Sequence, residues 1–239
     1  EMLYPVKQDS VYRRKARDAK ENDPLSPYNL FNINWRNEEG KIRHVIMPKE
    51  ITGVDANIVI ITGKDFPTGS HKIGATYSCC IEKQVDGTII PGKHRLVWPS
   101  TGNYGVGGAY AGPRLGYESL VLLPEEMSQE RFDLIAYYGA KYIKTPGCES
   151  NVKEIFDKGN ELGKEPNTIV VNQFSEFANY RFHYYVTGNA IIELFEDLKS
   201  KGVGKKISAL VSAMGSAGTI AAGERLKQYN PNSLTIGLE

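Results

Sequence analysis

From residue 56 to the end, short β-branched runs alternate with segments of helical spacing, and this alternation restricts the chain to an α/β architecture. The strand-like runs are "ANIVIITG" (56–63), "RLVWPS" (95–100), "ESLVLLP" (118–124), "AKYIKTP" (140–146), "NTIVVNQF" (167–174), "ISALVSA" (207–213) and "LTIGLE" (234–239). Between them lie helical stretches at 71–84, 105–116, 127–139, 151–163, 184–202 and 219–230. Strands separated by helices of ten residues or more predict βαβ units, a parallel sheet and helices on both faces. The run at 56–63 reads as a buried strand. The first 45 or so residues are polar and aromatic with weak periodicity; "DPLSPYN" (23–29) reads as a loop, and the mixed-charge run "YRRKARDAKEND" (12–23) as a solvated helix face. Position 1 is Glu, and the sequence stops just after a completed strand, so the reading expects a fragment of a longer chain.

Bulk composition narrows the partners. The 239 residues carry 29 basic and 28 acidic side chains, a net charge of +1, which points to neither a nucleic acid nor a membrane surface. An apolar content of 41% and a charged content of 24% suit a soluble globular chain, and no run approaches the ~20 apolar residues of a membrane span. The three cysteines, Cys79, Cys80 and Cys148, are odd in number and lack a CxxC spacing. They predict no disulfide framework and no metal site, and are read as buried free thiols in a reducing, cytoplasmic compartment.

In open α/β sheets, ligands bind beyond the carboxyl ends of the strands. The polar, glycine-rich turns there are "KDFPTGSHK", "PSTGNYG", "NQFSEFANYR" and "AMGSAGT". In the last, small residues (Gly215, Ser216, Ala217, Gly218) let backbone N–H groups approach an anion at a helix N-terminus, with Ser216 and Thr219 adding hydroxyls. No GK[ST] follows, so this is not a nucleoside-triphosphate loop. A dinucleotide fingerprint starting at Gly105 fails because Tyr110 stands where the last glycine is required. Ser100, Thr101 and Asn103 remain as donors converging before a helix. Lys72, just after the candidate N-cap Ser70, sits at the end of a helix that disfavours a cation. A helix N-terminus lowers an amine's pKa, and a neutral amine beside a phosphate cradle can form a Schiff base.

Together these residues resemble the pyridoxal-phosphate enzymes of the tryptophan-synthase β fold (fold type II), especially cysteine synthases, over about residues 45–239. "STGNYG" (100–105) resembles that family's asparagine loop, "MGSAGT" (214–219) its phosphate loop, and "NQFSEFANYRFHYYVTGNAI" (172–191) the stretch whose Gln aids carboxylate binding. The resemblance implies two three-layer α/β domains with mostly parallel twisted sheets: residues 1–84 and 172–239 in a large cofactor domain, and 85–171 in a small mobile one. It implies that Lys72 carries pyridoxal 5'-phosphate. The cofactor would be bound by Lys72, His71, Asn103 and Gly215, Ser216, Ala217, Gly218 and Thr219. The substrate would be bound by Ser100, Thr101, Gly102, Asn103, Tyr104 and Gln173. It further implies β-elimination or β-replacement on a cysteine- or serine-related amino acid through an aminoacrylate, with sulfide or a similar small nucleophile, in a homodimer.

The sequence also departs from that pattern. "SHKIG" replaces the Ser-x-Lys-Asp-Arg of cysteine synthases; His71 before Lys72 is closer to tryptophan synthase β chains, and "PTGS" is shared with threonine synthases. Tyr104 stands where a small Thr is common, either narrowing the pocket or offering a hydroxyl. His71 is read as a phosphate contact or a packing residue, His183 as capping or packing its helix, and Cys79 and Cys80 as helix core. Cysteine desulfhydrase, tryptophan-synthase-like and threonine-synthase-like reactions stay open. So does a catalytically degenerate binding homologue, against which the intact Lys72, Asn103 and 215–219 loop argue. In this family the partner of the pyridine nitrogen lies beyond position 239.

Overall fold

A computed structural model of the chain describes residues 2–3 and 10–239. Helix α1 (Ser10–Asn22) buries Ala16 and Ala19 and turns Arg14, Lys15, Arg17 and Lys20 to solvent, as its charge pattern predicts. The 23–29 loop runs into a 3-10 turn (Pro27–Asn32), whose first turn is capped by Ser26 Oγ accepting from the Tyr28 N–H.

An antiparallel ribbon follows, made of β1 (His44–Met47) and β2 (Ile58–Ile61), with the single turn α2 (Lys49–Thr52) between them. Two expectations are corrected here. The weakly periodic N-terminal part does contain a strand, and the 56–63 run is not buried on both faces. Val59 and Ile61 pack on the core, whereas Val45, Ile58 and Ile60 are exposed, because among the described residues nothing covers the ribbon's outer face.

The middle of the chain is the predicted alternation. It runs α3 (Lys72–Val85), β3 (Arg95–Pro99), α4 (Asn103–Arg114), β4 (Glu118–Pro124), α5 (Gln129–Tyr137), β5 (Lys141–Thr145), α6 (Val152–Leu162) and β6 (Thr168–Val170). The four strands form one parallel sheet in the order β5-β4-β3-β6, with Val97 opposite Leu120 on one side and Val170 on the other. Successive residues of β3 point to opposite faces: Leu96 and Trp98 join the large core beneath α3 and α4, while Val97 packs with Leu122, Ile155 and Leu162 beneath α6. Covering on both faces explains why β3 and β4 read as continuous apolar runs.

Three helical pieces then run on without a break: α7 (Phe177–Arg181), a π-helical turn (Phe182–Thr187) and α8 (Gly188–Ser200). The helix expected at 184–202 therefore begins earlier. A second parallel pair closes the chain, β7 (Ala209–Ala213) and β8 (Leu234–Leu238), crossed over by α9 (Ala221–Tyr229).

Glycines set how closely these elements approach. A Cβ on Gly107 would lie 3.0 Å from the Ile73 Cα, and one on Gly108 would lie 2.2 Å from the Trp98 ring. The starts of α3 and α4 are thereby held side by side. Arg114, 4% exposed, ties the N-terminal segment to α4 by stacking 3.6 Å from the Tyr110 ring and donating to the Tyr110 and Pro24 carbonyls. Cys79 and Cys80 are buried, and burial pushes the Cys79 thiol up to about 12, so both are inert. Cys148 corrects the third thiol expectation: it is exposed in the turn after Gly147. No helix among the described residues is long and apolar enough to cross a membrane.

Candidate active site

Lys72 is the first residue of α3, and its N–H donates to Ser70 Oγ at 3.3 Å, which ends the turn and starts the helix. The half-buried side chain reaches across to two other segments. Its Nζ donates to Ser216 Oγ at 3.0 Å and to Gln173 Oε1 at 3.4 Å. No carboxylate lies within ion-pair distance among the described residues, and burial lowers the amine's pKa. Desolvation thus favours the neutral form of the amine.

Ser216 belongs to the turn between β7 and α9. None of the backbone N–H groups of residues 215–219 donates to an acceptor among the described residues. Ala217 holds a left-handed φ of 56°, a conformation costly for a residue with a Cβ and one that turns successive N–H groups toward a common point. Asn179, which sequence reasoning missed, braces this turn. It is 2% exposed, and its Nδ2 donates to Ser216 Oγ at 3.0 Å and to the Gln173 carbonyl at 3.1 Å. Gly218 fits only without a side chain, since a Cβ would lie 2.3 Å from Asn179 Oδ1. The one amide in an otherwise aromatic helical stretch was the available signal.

Thr219 Oγ1 sits 3.3 Å from His71 Nε2. The His71 imidazole stacks on Trp35 (5.7 Å, 19°) and meets His183 edge-on (5.2 Å, 76°). His183 is fully buried within the π-helical turn, with Nδ1 3.0 Å from Thr187 Oγ1 and Nε2 unpartnered. It packs the helix rather than capping it. Burial, aided by the Lys72 charge, lowers His71 from the ordinary 6.5 to about 4, and burial holds His183 well below its usual range.

These two depressed values make stability acid-sensitive. The folded protein keeps both rings neutral, whereas the unfolded chain takes up protons below about 6.5. The unfolded state therefore binds more protons as pH falls from 6.5 through about 4, so stability is full above this window and is lost within it. Urea midpoints should fall between pH 7 and pH 5, and His71→Asn should shrink that fall. An unchanged fall in the variant would mean that His71 does not contribute.

The asparagine turn follows β3. Ser100 is buried and accepts from the Gly102 N–H at 3.3 Å; Thr101 and Gly102 are half-buried, and Asn103 is exposed at the first position of α4. The close approach of Gly107 to Ile73 brings this turn alongside Lys72, although no hydrogen bond joins them among the described residues. Tyr104 stands apart. Its side chain is 1% exposed and its hydroxyl lies 3.5 Å from Cys79 Sγ, so the expectation of a hydroxyl offered to substrate is corrected: α4 turns this ring inward, and only its backbone borders the loop.

Residues 65–239 match the family model described as "Pyridoxal-phosphate dependent enzyme". The chain belongs to this family. Its cofactor is pyridoxal 5'-phosphate. Among the family's similar members, the chain is 34% identical over 168 residues to a probable cysteine synthase of Bacillus subtilis, which covers 70% of this chain and 52% of that protein. It is 34% identical over 174 residues to a cysteine synthase of Staphylococcus aureus (72% and 53%). A solved hydrogen sulfide-producing enzyme of Fusobacterium nucleatum superposes with a TM-score of 0.71 at 26% identity, over 82% of this chain and 62% of that one. The chain thus spans about half the length of the curated relatives it matches, and the fold is that of fold type II enzymes of this family.

The donor set suits a phosphorylated aldehyde. Ser216 Oγ accepts from both Lys72 and Asn179, which leaves its own proton free to donate to an anion. The N–H groups of 215–219 precede a helix, a Cβ on Gly215 would meet nothing within 4 Å, and a primary amine stands beside them.

Proposed function

We propose that this family member carries out a β-elimination or β-replacement on an amino acid related to cysteine or serine, with Lys72 holding the cofactor. One observation carries the reading: a half-buried amine without a carboxylate partner among the described residues joins the 215–219 turn through Ser216 and the 172–179 segment through Gln173. The names of its relatives, cysteine synthases and a hydrogen sulfide-producing enzyme, support chemistry at the β-carbon.

When bound, pyridoxal phosphate supplies the electron sink for charge developing at the substrate Cα. The chain's residues supply the rest. Backbone N–H groups of Gly215, Ser216, Ala217, Gly218 and Thr219, with the Ser216 hydroxyl and His71 beside Thr219, would hold the phosphate. Ser100, Thr101, Gly102, Asn103 and Gln173 would hold the substrate carboxylate, and Asn103 would also contribute to holding the cofactor. Lys72, whose pKa burial lowers, takes the proton from Cα. Residues 85–171, which contain the whole four-stranded sheet, act as the small domain and carry the asparagine turn against the 1–84 and 172–239 parts.

The test is a spectral screen of the cofactor-loaded protein with O-acetylserine, cysteine, serine and O-phosphohomoserine. A change in the visible band with the β-substituted amino acids is expected. A response to O-phosphohomoserine alone would replace this reading with γ-elimination and replacement.

A further inference from the structure

Trp35 lies outside the family-matched residues 65–239, yet it is built into the ground beneath the 215–219 turn. The side chain is 4% exposed. One face lies nearly parallel to His71 at 5.7 Å, and Phe66 meets the ring at 5.0 Å and 88°. A buried indole N–H needs an acceptor. Here Nε1 donates to Thr187 Oγ1 at 3.0 Å, the same oxygen that lies 3.0 Å from His183 Nδ1. His183 in turn sets its ring edge-on to His71.

The His71 imidazole is therefore held from two directions. Trp35 covers a face, His183 crosses it at 76°, and Thr187 locks Trp35 and His183 to one another. His183 and Thr187 are four residues apart in the π-helical turn, so both reach toward the same side. Single π turns inside longer helices recur at functional sites. The held imidazole presents Nε2 to Thr219 Oγ1, the last residue of the turn whose N–H groups lack acceptors. Among the described residues, this is the side-chain hydrogen bond by which the residue just before α3 reaches Thr219.

We propose that Trp35 is a positioning residue for cofactor phosphate binding: through the Trp35–Thr187–His183 array it fixes His71 against Thr219 and so sets the shape of the 215–219 turn. The proposal rests on the cofactor site assigned under Proposed function. It gives the N-terminal segment a task. Arg114 and Tyr110 anchor residues 24–29 to α4, and Trp35 delivers that segment to the phosphate end of the site. The array makes no hydrogen bond to the Lys72 amine or to the asparagine turn, so its effect falls mainly on ligands that carry a phosphate.

The experiment compares equilibrium affinities of the full chain for pyridoxal phosphate and for pyridoxal, which lacks the phosphate. The proteins are wild type, Trp35→Phe, Trp35→Leu, His71→Asn and the Trp35→Leu/His71→Asn double variant. Trp35→Leu should weaken pyridoxal phosphate about ten-fold, the lower end of the loss seen when a partner behind a metal-ligating histidine is removed, and should leave pyridoxal nearly unchanged. Trp35→Phe keeps a stacked ring and loses only the N–H to Thr187, so it should fold as wild type and show a smaller loss of the same selectivity. The double variant should bind no more weakly than His71→Asn alone, because the two side chains act on one contact. Equal weakening of both ligands, or additive losses in the double variant, would reduce Trp35 to a packing residue and overturn the proposal. Wild-type protein that shows no preference for the phosphorylated ligand would instead overturn the site assignment beneath it.

Discussion

Replacing Lys72 by alanine is expected to abolish the visible absorbance of the cofactor-loaded protein and to lower turnover by about 10³-fold or more, the scale of losing both the attachment point and the proton acceptor. Lys72 is placed by three segments at once: its backbone N–H by Ser70 at the helix start, and its amine by Gln173 after β6 and Ser216 in the 215–219 turn. Burial lowers its pKa without a carboxylate to offset that, so no other described lysine occupies a comparable setting at this site. The phosphate end is built from other residues, so Lys72→Ala should still bind pyridoxal phosphate without covalent attachment. The exposed Lys93 gives the control, since Lys93→Ala should alter neither absorbance nor turnover. A Lys72→Ala protein that kept its visible band would move the attachment elsewhere.

Gly108→Ala is expected to be strongly destabilising. The added Cβ would lie 2.2 Å from Trp98, a ring that is fully buried, meets Tyr104 at 5.7 Å and donates through Nε1 to Ser119 Oγ at 3.2 Å. Trp98 cannot rotate away without breaking that bond, so α4 must shift off β3. Overpacking of this kind costs about 1–3 kcal/mol, read as a lower urea midpoint at unchanged slope. Because α4 begins at Asn103, the same shift should displace the asparagine turn and weaken amino-acid binding. Gly102→Ala is the contrast: its φ is −117° and a Cβ there meets nothing within 4 Å, so stability should stay within about 0.5 kcal/mol. Equal midpoints for the two variants would contradict the packing described for α4.

What the sequence showed and what it hid follow from the range of the interactions. The βαβ alternation was legible because parallel strands buried on both faces leave unbroken apolar runs such as 118–124. The turns at 70–72, 100–103 and 215–219 were legible because strand ends, glycine and helix starts fall together there. Strand β1, only four residues long, left no periodic trace. The exposed faces of Ile58 and Ile60 depend on what lies beyond the ribbon, which a run of β-branched residues does not encode. The bond between Trp35 and Thr187 joins residues 152 apart, and Asn179 reaches Ser216 across 37 positions. Nothing local marks either pair. Tyr104 sat in the right turn, yet it is the second residue of α4, where helix geometry points its ring into the core toward Cys79. The lowered pKa of Lys72 was foreseen, but the part that burial plays in it was not, because burial is a property of the assembled fold.

The central claim is that one lysine, brought to the 215–219 turn by the fold, holds the cofactor. Its most direct test is chemical trapping: the full chain is loaded with pyridoxal phosphate, reduced with borohydride, digested and mapped by mass spectrometry. The account predicts the pyridoxyl-phosphate adduct on the peptide containing Lys72 and on no other lysine. An adduct at another lysine, or none on protein that has taken up the cofactor, would contradict it.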